Sequence, residues 1–371
     1  MPTATRTQLT RLRLLSQCID RADSPAARPD TADPSPVDVV RWMTAIQAQD
    51  LPGAKWSVGL RAEGSTLETV DSALNSGEVV RSWPFRGTLH LVAGEDLGWM
   101  LDLTAARMVA GARTRHRQLG LDDAVFEAAR AVAVASLAGG VALTRDQLFA
   151  RFGEAGIATD SNRGSNLLWY LAHTKTLCFG PMHGSAQALV LLDEWVTAPR
   201  SLDRDESLGE LAARYFRSHG PATLKDFLWW SKLLVAEAKR GLEIARDRLE
   251  TLEYDGQAYW LAQGLQDATA SRVRRSSVHL LPGFDEYLLG YADRRAALDE
   301  QYSQRIVPGN NGMFLPTVVS GGIVVGTWSR TATSTQVAVT PEPFAGFSVA
   351  EESGVRRRAS GYAAFLGREL R

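Results

Sequence analysis

Three times along the chain, helix-patterned residues are followed by two short β-patterned runs joined by a tight turn. No other feature narrows the fold as much. In the first pass, Leu9, Leu12, Leu15 and Ile19 share one face of a helix expected from Thr7 to about Asp20. SPAARPDTADPSP, residues 24 to 36, reads as a loop. Ser35 then caps a helix with Pro36 at its first position, running from Val37 to about Ile46. A sharp turn is expected at Leu51-Pro52-Gly53, and a short helix over residues 66 to 76, ended by Gly77. VVRSWPFRGTLHLV, residues 79 to 92, is interrupted at Pro84 and Gly87 and then alternates through Thr88, Leu89, His90, Leu91 and Val92. It reads as a strand pair. Helices closed by a hairpin are the outline of a winged helix, a helix-turn-helix variant.

The outline recurs. Residues 95 to 139 carry long helical patterns. Thr144 caps the helix of TRDQLFARFGEAG, and another helix spans Asp160 to about His173. TLCFGPMHGSAQALVLLDEW, residues 176 to 195, reads as strand, turn near Gly180-Pro181 and Gly184, and strand. The third pass holds SLGELAARYFRSHG, ATLKDFLWWSKL and a helix at residues 235 to 247. TLEYDGQAYWLA closes it, turning at Asp255-Gly256. The units share no fixed short period, which excludes a solenoid. From Ser277 onward, β-branched runs and Gly-rich turns dominate. TVVSGGIVVGTW is a hairpin about Gly321-Gly322, and a helix at residues 347 to 369 closes the tail. The expected class is α+β: tandem winged-helix domains, then a small C-terminal β-barrel-like domain. The expected segments are 1–105, 106–200, 201–275 and 276–371.

Composition excludes several function classes. A net charge of −1 argues against coating nucleic acid with the whole chain, and leaves room for a local basic groove. Lys55, Lys175, Lys225, Lys232 and Lys239 are all the lysines, so arginine carries most of the positive charge. Arginine is the better bidentate phosphate ligand. A chain-wide coding bias gives the same count. No apolar run approaches the ~20 residues that cross a bilayer, and the N-terminus does not read as a secretory signal. Cys18 and Cys178 are too few for a disulfide framework, so a cytoplasmic location is expected. There is no phosphate-binding Gly-Lys loop, no Gly-x-Gly-x-x-Gly and no nucleophile elbow. The six histidines lack metal-ligand spacing, and no metal or cofactor is implied.

Some stretches say more. In RSWPFRGTLHLV, Arg81 and Arg86 flank Trp83, Pro84 and Phe85. An arginine at a wing tip can reach a phosphate, and an exposed aromatic can wedge into a base stack. Equally, Trp83 and Phe85 can be core. His90 lies opposite Leu89 and Leu91, facing a groove or solvent. Arg113, Arg115 and Arg117 cover two faces of a helix, as a solvated helix does. RVRRSS, residues 272 to 277, places Arg274 in a basic linker. AIQAQD, residues 45 to 50, sets Gln47 and Gln49 one residue apart. In a helix two such side chains point about 200° apart; in an extended segment they share a face. They can act together only if the helix ends before them.

SWPFRGTLHLV, the FGP…VLLDEW hairpin and LLPGFDEYLLGYADR…IVPGNNGMFLPTVVSGGIVVGTW occur in that order. With them the chain resembles the bacterial winged-helix DNA glycosylases of the AlkZ and YcaQ type, from about residue 7 to 365. The resemblance implies tandem winged helices and a β-barrel that cup duplex DNA. It implies removal of N7-alkylated purines and, in some members, the unhooking of interstrand crosslinks. The family's catalytic motif is glutamine, an apolar residue, then glutamine or, in the other branch, aspartate. Gln47-Ala48-Gln49 matches the glutamine branch. The DNA-probing hairpin corresponds to the region of residues 176 to 192, which adds His183 and the adjoining Lys175 to the DNA-binding candidates Arg81, Trp83, Arg86, Thr88, His90 and Arg274. The implied partner is double-stranded DNA carrying alkylated purines, with no membrane, and a monomer is expected. With no lysine in the motif to form a Schiff base, no strand-lyase step is expected. The alternatives are a winged-helix DNA-binding regulator without catalysis and a protein-interaction scaffold.

Overall fold

The computed structural model describes residues 1–21, 25–27, 29, 33–268 and 277–371. The fold is α+β, and the backbone packs as two units. One joins residues 1–70 to residues 208–371; the other holds residues 71–207. Among the described residues, no helix is long and apolar enough to cross a membrane.

In the discontinuous unit, the helix Arg6–Ser16 begins with a reciprocal Thr5–Gln8 capping box and stops short of the expected Asp20. The helix Pro36–Met43 is capped by Ser35 and Asp38 in the same way. It ends where Thr44 takes φ 70°, a left-handed conformation that cannot continue a right-handed helix. Strand β1, Ile46–Gln47, follows. The sharp turn expected at Leu51-Pro52-Gly53 is instead the start of a helix, Leu51–Gly59. Pro52 sits in its first turn, where the missing N–H has no intrahelical partner to lose.

The inserted unit is built on two hairpins. β2 (Val79–Phe85) and β3 (Thr88–Ala93) turn at Arg86-Gly87, both with positive φ. β4 (Leu177–His183) and β5 (Ala186–Leu191) turn at Gly184-Ser185. Gly180-Pro181 lies within β4, not at the turn. Each proline-bearing strand has a register break, between Ser82 and Phe85 in the first hairpin and between Phe179 and Met182 in the second. A proline cannot donate to the ladder, and a bulge absorbs the loss. β2 and β4 pair antiparallel at Arg81 and Phe179, so the hairpins of the first two expected segments share one sheet. Helices Gly94–Gln118, Asp123–Leu137, Arg145–Glu154 and Arg163–His173 complete this unit. Their core gathers Phe126, Leu148, Phe152, Leu167 and Leu171 against Leu177 and Leu189.

The discontinuous unit resumes within the helix Arg204–His219, followed by the helices Leu224–Ser231 and Val235–Ala245. β6 (Leu249–Tyr254) and β7 (Gln257–Ala262) then turn at Asp255-Gly256. β8 (Val278–Leu281), β9 (Thr317–Ser320), β10 (Ile323–Ala332), β11 (Gln336–Pro343) and β12 (Glu369–Leu370) form a sheet in the order β12-β11-β10-β9-β8. Among the described residues the sheet keeps two edges, and the expected barrel-like domain is an open one. Gly321-Gly322 makes the β9–β10 turn; Gly322 has φ 91°, and a Cβ there would lie 2.7 Å from Thr10. The closing helix, Val349–Phe365, packs on β8 and on Leu51–Gly59. Phe365 fills the space where Gly59 lacks a side chain.

Candidate active site

The helix stop at Thr44 takes both glutamines out of the helix, Gln47 into strand β1 and Gln49 into the bend that follows it. Their amides meet: Gln47 Nε2 donates to Gln49 Oε1 at 3.1 Å. Gln47 is 6% exposed, and Gln49 is exposed. Ala48 between them is fully buried and pins the segment to the core. One face therefore presents a neutral pair of amides, half sheltered and half open.

Behind it lies a buried polar wall. Glu286 Oε1 accepts the Gln47 backbone N–H at 3.1 Å. Glu286 Oε2 accepts the Trp230 indole N–H at 3.0 Å and stands 3.5 Å from His219 Nε2. The neighbouring Asp285 takes a bidentate pair of hydrogen bonds from Arg61, at 2.8 and 2.9 Å, and a third from the Ser57 hydroxyl. Arg61 also reaches the backbone and side-chain oxygens of Gln17. Burial alone would lower the Arg61 pKa, but the Asp285 charge and hydrogen bonds hold it above its usual value. A buried charge is tolerated when it is paired and hydrogen-bonded in this way.

Asp50 follows the pair in the chain. Its carboxylate occupies the space over Gly53, where a Cβ would come within 2.5 Å of Oδ2. Arg330 Nη2 lies 3.9 Å from the same oxygen. Asp50 and Arg330 line a cavity of about 490 Å³ with Leu315, Pro316, Trp328 and Pro341. That volume is far larger than a methyl group and falls within the range of small-molecule sites. Among the described residues no cluster of histidines, cysteines and carboxylates could hold a metal ion.

The DNA-binding candidates lie in different settings. Arg81 is half-buried, with Nη1 3.4 Å from Gln187 Oε1 and its guanidinium over the Phe179 ring. Trp83 packs against the core and the Phe179 ring. Phe85 is fully buried, the core alternative for that aromatic. The expectation that His90 faces a groove or solvent is corrected: it is fully buried, with Nδ1 2.9 Å from the Thr88 carbonyl and Nε2 3.1 Å from Arg86. Alternation showed correctly that His90 lies opposite Leu89; it could not show that this face is covered. Thr88 Oγ1 is buried without a hydrogen-bond partner. Lys175 pairs with Asp102. His183 stands exposed at the tip of the β4–β5 hairpin. Arg274 lies outside the described residues. The residues the sequence reading missed are Glu286, Trp230, His219, Asp285 and Arg61. Only the LLPGFDEYLLGY stretch signalled two of them, and nothing local tied it to the glutamines.

A family model described as "DNA glycosylase AlkZ-like" matches residues 40–365, and so defines an enzyme that acts on DNA. The chain belongs to the AlkZ-like DNA glycosylase family. It is 28% identical over 331 residues to the interstrand DNA cross-link repair glycosylase of Streptomyces sahachiroi, spanning 84% of this chain and 85% of that protein. It also resembles the solved structure of the Streptomyces sahachiroi DNA glycosylase AlkZ, with 25% identity and a TM-score of 0.79. That likeness covers 100% of this chain and 99% of the other. The resemblance read from the motifs was correct.

Proposed function

We propose that the protein is a monofunctional glycosylase that hydrolyses the N-glycosidic bond of cationic N7-alkylated purines, crosslinked or bulky adducts included. The observation that carries this reading is the contact between the Gln47 and Gln49 amides on a partly open, non-helical segment. The relative's action on interstrand crosslinks and the roomy cavity beside Asp50 support the wider substrate range.

An N7-alkylguanine already carries positive charge and leaves as a neutral base, so no general acid is required. The sugar passes through an oxocarbenium-like state. The protein must hold a water near C1′ and set partial negative charge beside the cation, and an amide oxygen can do both. Gln47 orients the water. Gln49 accepts from Gln47 through its oxygen, which leaves its NH2 group to offer to the sugar-phosphate backbone. Asp50 adds negative charge one residue on. Undamaged purines need protonation to leave, so a neutral amide pair discriminates against them.

The tandem winged-helix arrangement in four segments belongs to this proposal, as does action as a monomer. The exposed tip at His183 is the favoured DNA probe. Arg81, Arg86, Lys175 and Arg274 are assigned to the backbone, and Trp83, Thr88 and His90 to shaping the hairpin that carries Arg86. The test is base release from duplex DNA carrying N7-methylguanine, with abasic sites revealed by mild alkali. Release by the wild type, lost in Gln47→Ala/Gln49→Ala, establishes the reading. Salt-dependent duplex binding without release from methylated or crosslinked DNA overturns it in favour of a DNA-binding regulator. Strand scission in proportion to release, without alkali, overturns the monofunctional assignment.

A further inference from the structure

Glu286 is fully buried, yet it is joined to the backbone of the residue proposed to hold the attacking water. Burying a carboxylate is expensive, and a two-residue strand can be held by less. The surroundings of Glu286 are rigid. The Trp230 indole fixes Oε2. The His219 ring is stacked on Tyr215 at 4.8 Å and held through Nδ1 by the Ser218 hydroxyl. Gly290 closes the wall, since a Cβ there would lie 2.7 Å from the His219 ring and 2.6 Å from the Glu286 carbonyl. Ile46 and Ala48, on either side of Gln47, are buried and hold the segment in place, while the Gln47 N–H itself is taken by Glu286.

We propose that Glu286 is a positioning residue of the base-excision reaction. Its carboxylate anchors the Gln47 N–H to the Trp230–His219 wall and thereby sets the aim of the Gln47 side-chain amide. The inference rests on the glycosylase reading. It assigns Glu286 a hydrogen-bonding task in which its acceptor geometry matters more than its charge, because misplacing a catalytic group by about 1 Å can lower a rate about 100-fold.

The experiment compares single-turnover excision of N7-methylguanine by wild type, Glu286→Asp and Glu286→Gln/Trp230→Phe, with duplex affinity measured alongside. Aspartate keeps the charge but withdraws the acceptor from Gln47. In the double variant the amide oxygen still accepts from Gln47, and phenylalanine removes the indole donor that would face the new NH2 group. We expect Glu286→Asp to lose about 100-fold in rate with affinity within about threefold. The double variant, which keeps an acceptor for Gln47 but gives up the indole contact, should recover at least about tenfold of the rate lost by Glu286→Asp. Wild-type rate in Glu286→Asp overturns the inference. So does an equal loss in both variants, or a fall in affinity that matches the fall in rate. A failure of the glycosylase reading looks different: the wild type itself then releases no base.

Discussion

Glutamine is an unusual choice for a hydrolytic site because it neither gives nor takes a proton at any ordinary pH. Here the two amides satisfy one another while one stays exposed. Gln47→Ala should lower single-turnover excision of N7-methylguanine by at least about 100-fold, and Gln49→Ala by less, because the proposed reaction gives the water to Gln47. Equal losses would show that the pair acts as one group. The cysteines should be silent. Burial pushes both the Cys18 and Cys178 thiols up to about 12, so neither forms thiolate near neutrality. A disulfide reagent at pH 8 should label the protein only after unfolding. That the two glutamines leave the helix and share a side was legible locally, from the pair itself and the proline just beyond, although that proline opens a helix and not a turn. Glu286 was not legible, because it lies 239 residues from Gln47 and meets it only in three dimensions. His90 was half legible, as alternation names a face without saying what covers it.

At the scale of elements, caps and turns followed the sequence closely. Ser35, Thr144 and the Gly321-Gly322 turn stand where their chemistry placed them. Leu51-Pro52-Gly53 was misread because proline serves a turn and a helix start equally well. Gly322 joins left-handed φ to close contact with Thr10, so Gly322→Ala should destabilise the fold by about 1 to 3 kcal/mol. Urea unfolding would read the shift. The helix Arg163–His173 carries a pH liability. Burial is the main cause that pulls the His173 pKa down to about 4, against the rise given by its bond to the Trp169 carbonyl. Below about pH 6.5 the unfolded chain takes up a proton that the folded state refuses, so stability falls as pH drops from 6.5 towards 4. His173→Gln should flatten that slope, which amounts to about 3 kcal/mol at most across the window. An unchanged slope would place the acid sensitivity elsewhere.

For the molecule as a whole, a net charge of −1 limits how much binding can come from counterion release. Duplex affinity should fall with salt through a few arginine contacts only, giving a shallow slope in a salt titration. Stability of the discontinuous unit leans on the buried Arg61–Asp285 pair. Arg61→Met leaves a buried carboxylate without its cation and should cost about 3 to 5 kcal/mol, measured by urea unfolding. That unit is written in two instalments, residues 1–70 and 208–371, with the other unit between them. On the ribosome, Gln47 and Gln49 emerge early. The wall behind them arrives only when Glu286 and the closing helix Val349–Phe365 have been translated. The insert, already whole by residue 207, can collapse before residues 208–371 exist. On the proposed reading, the glutamine site is among the last parts of the chain to be completed, and a chain that ends before residue 286 lacks the anchor proposed for Gln47.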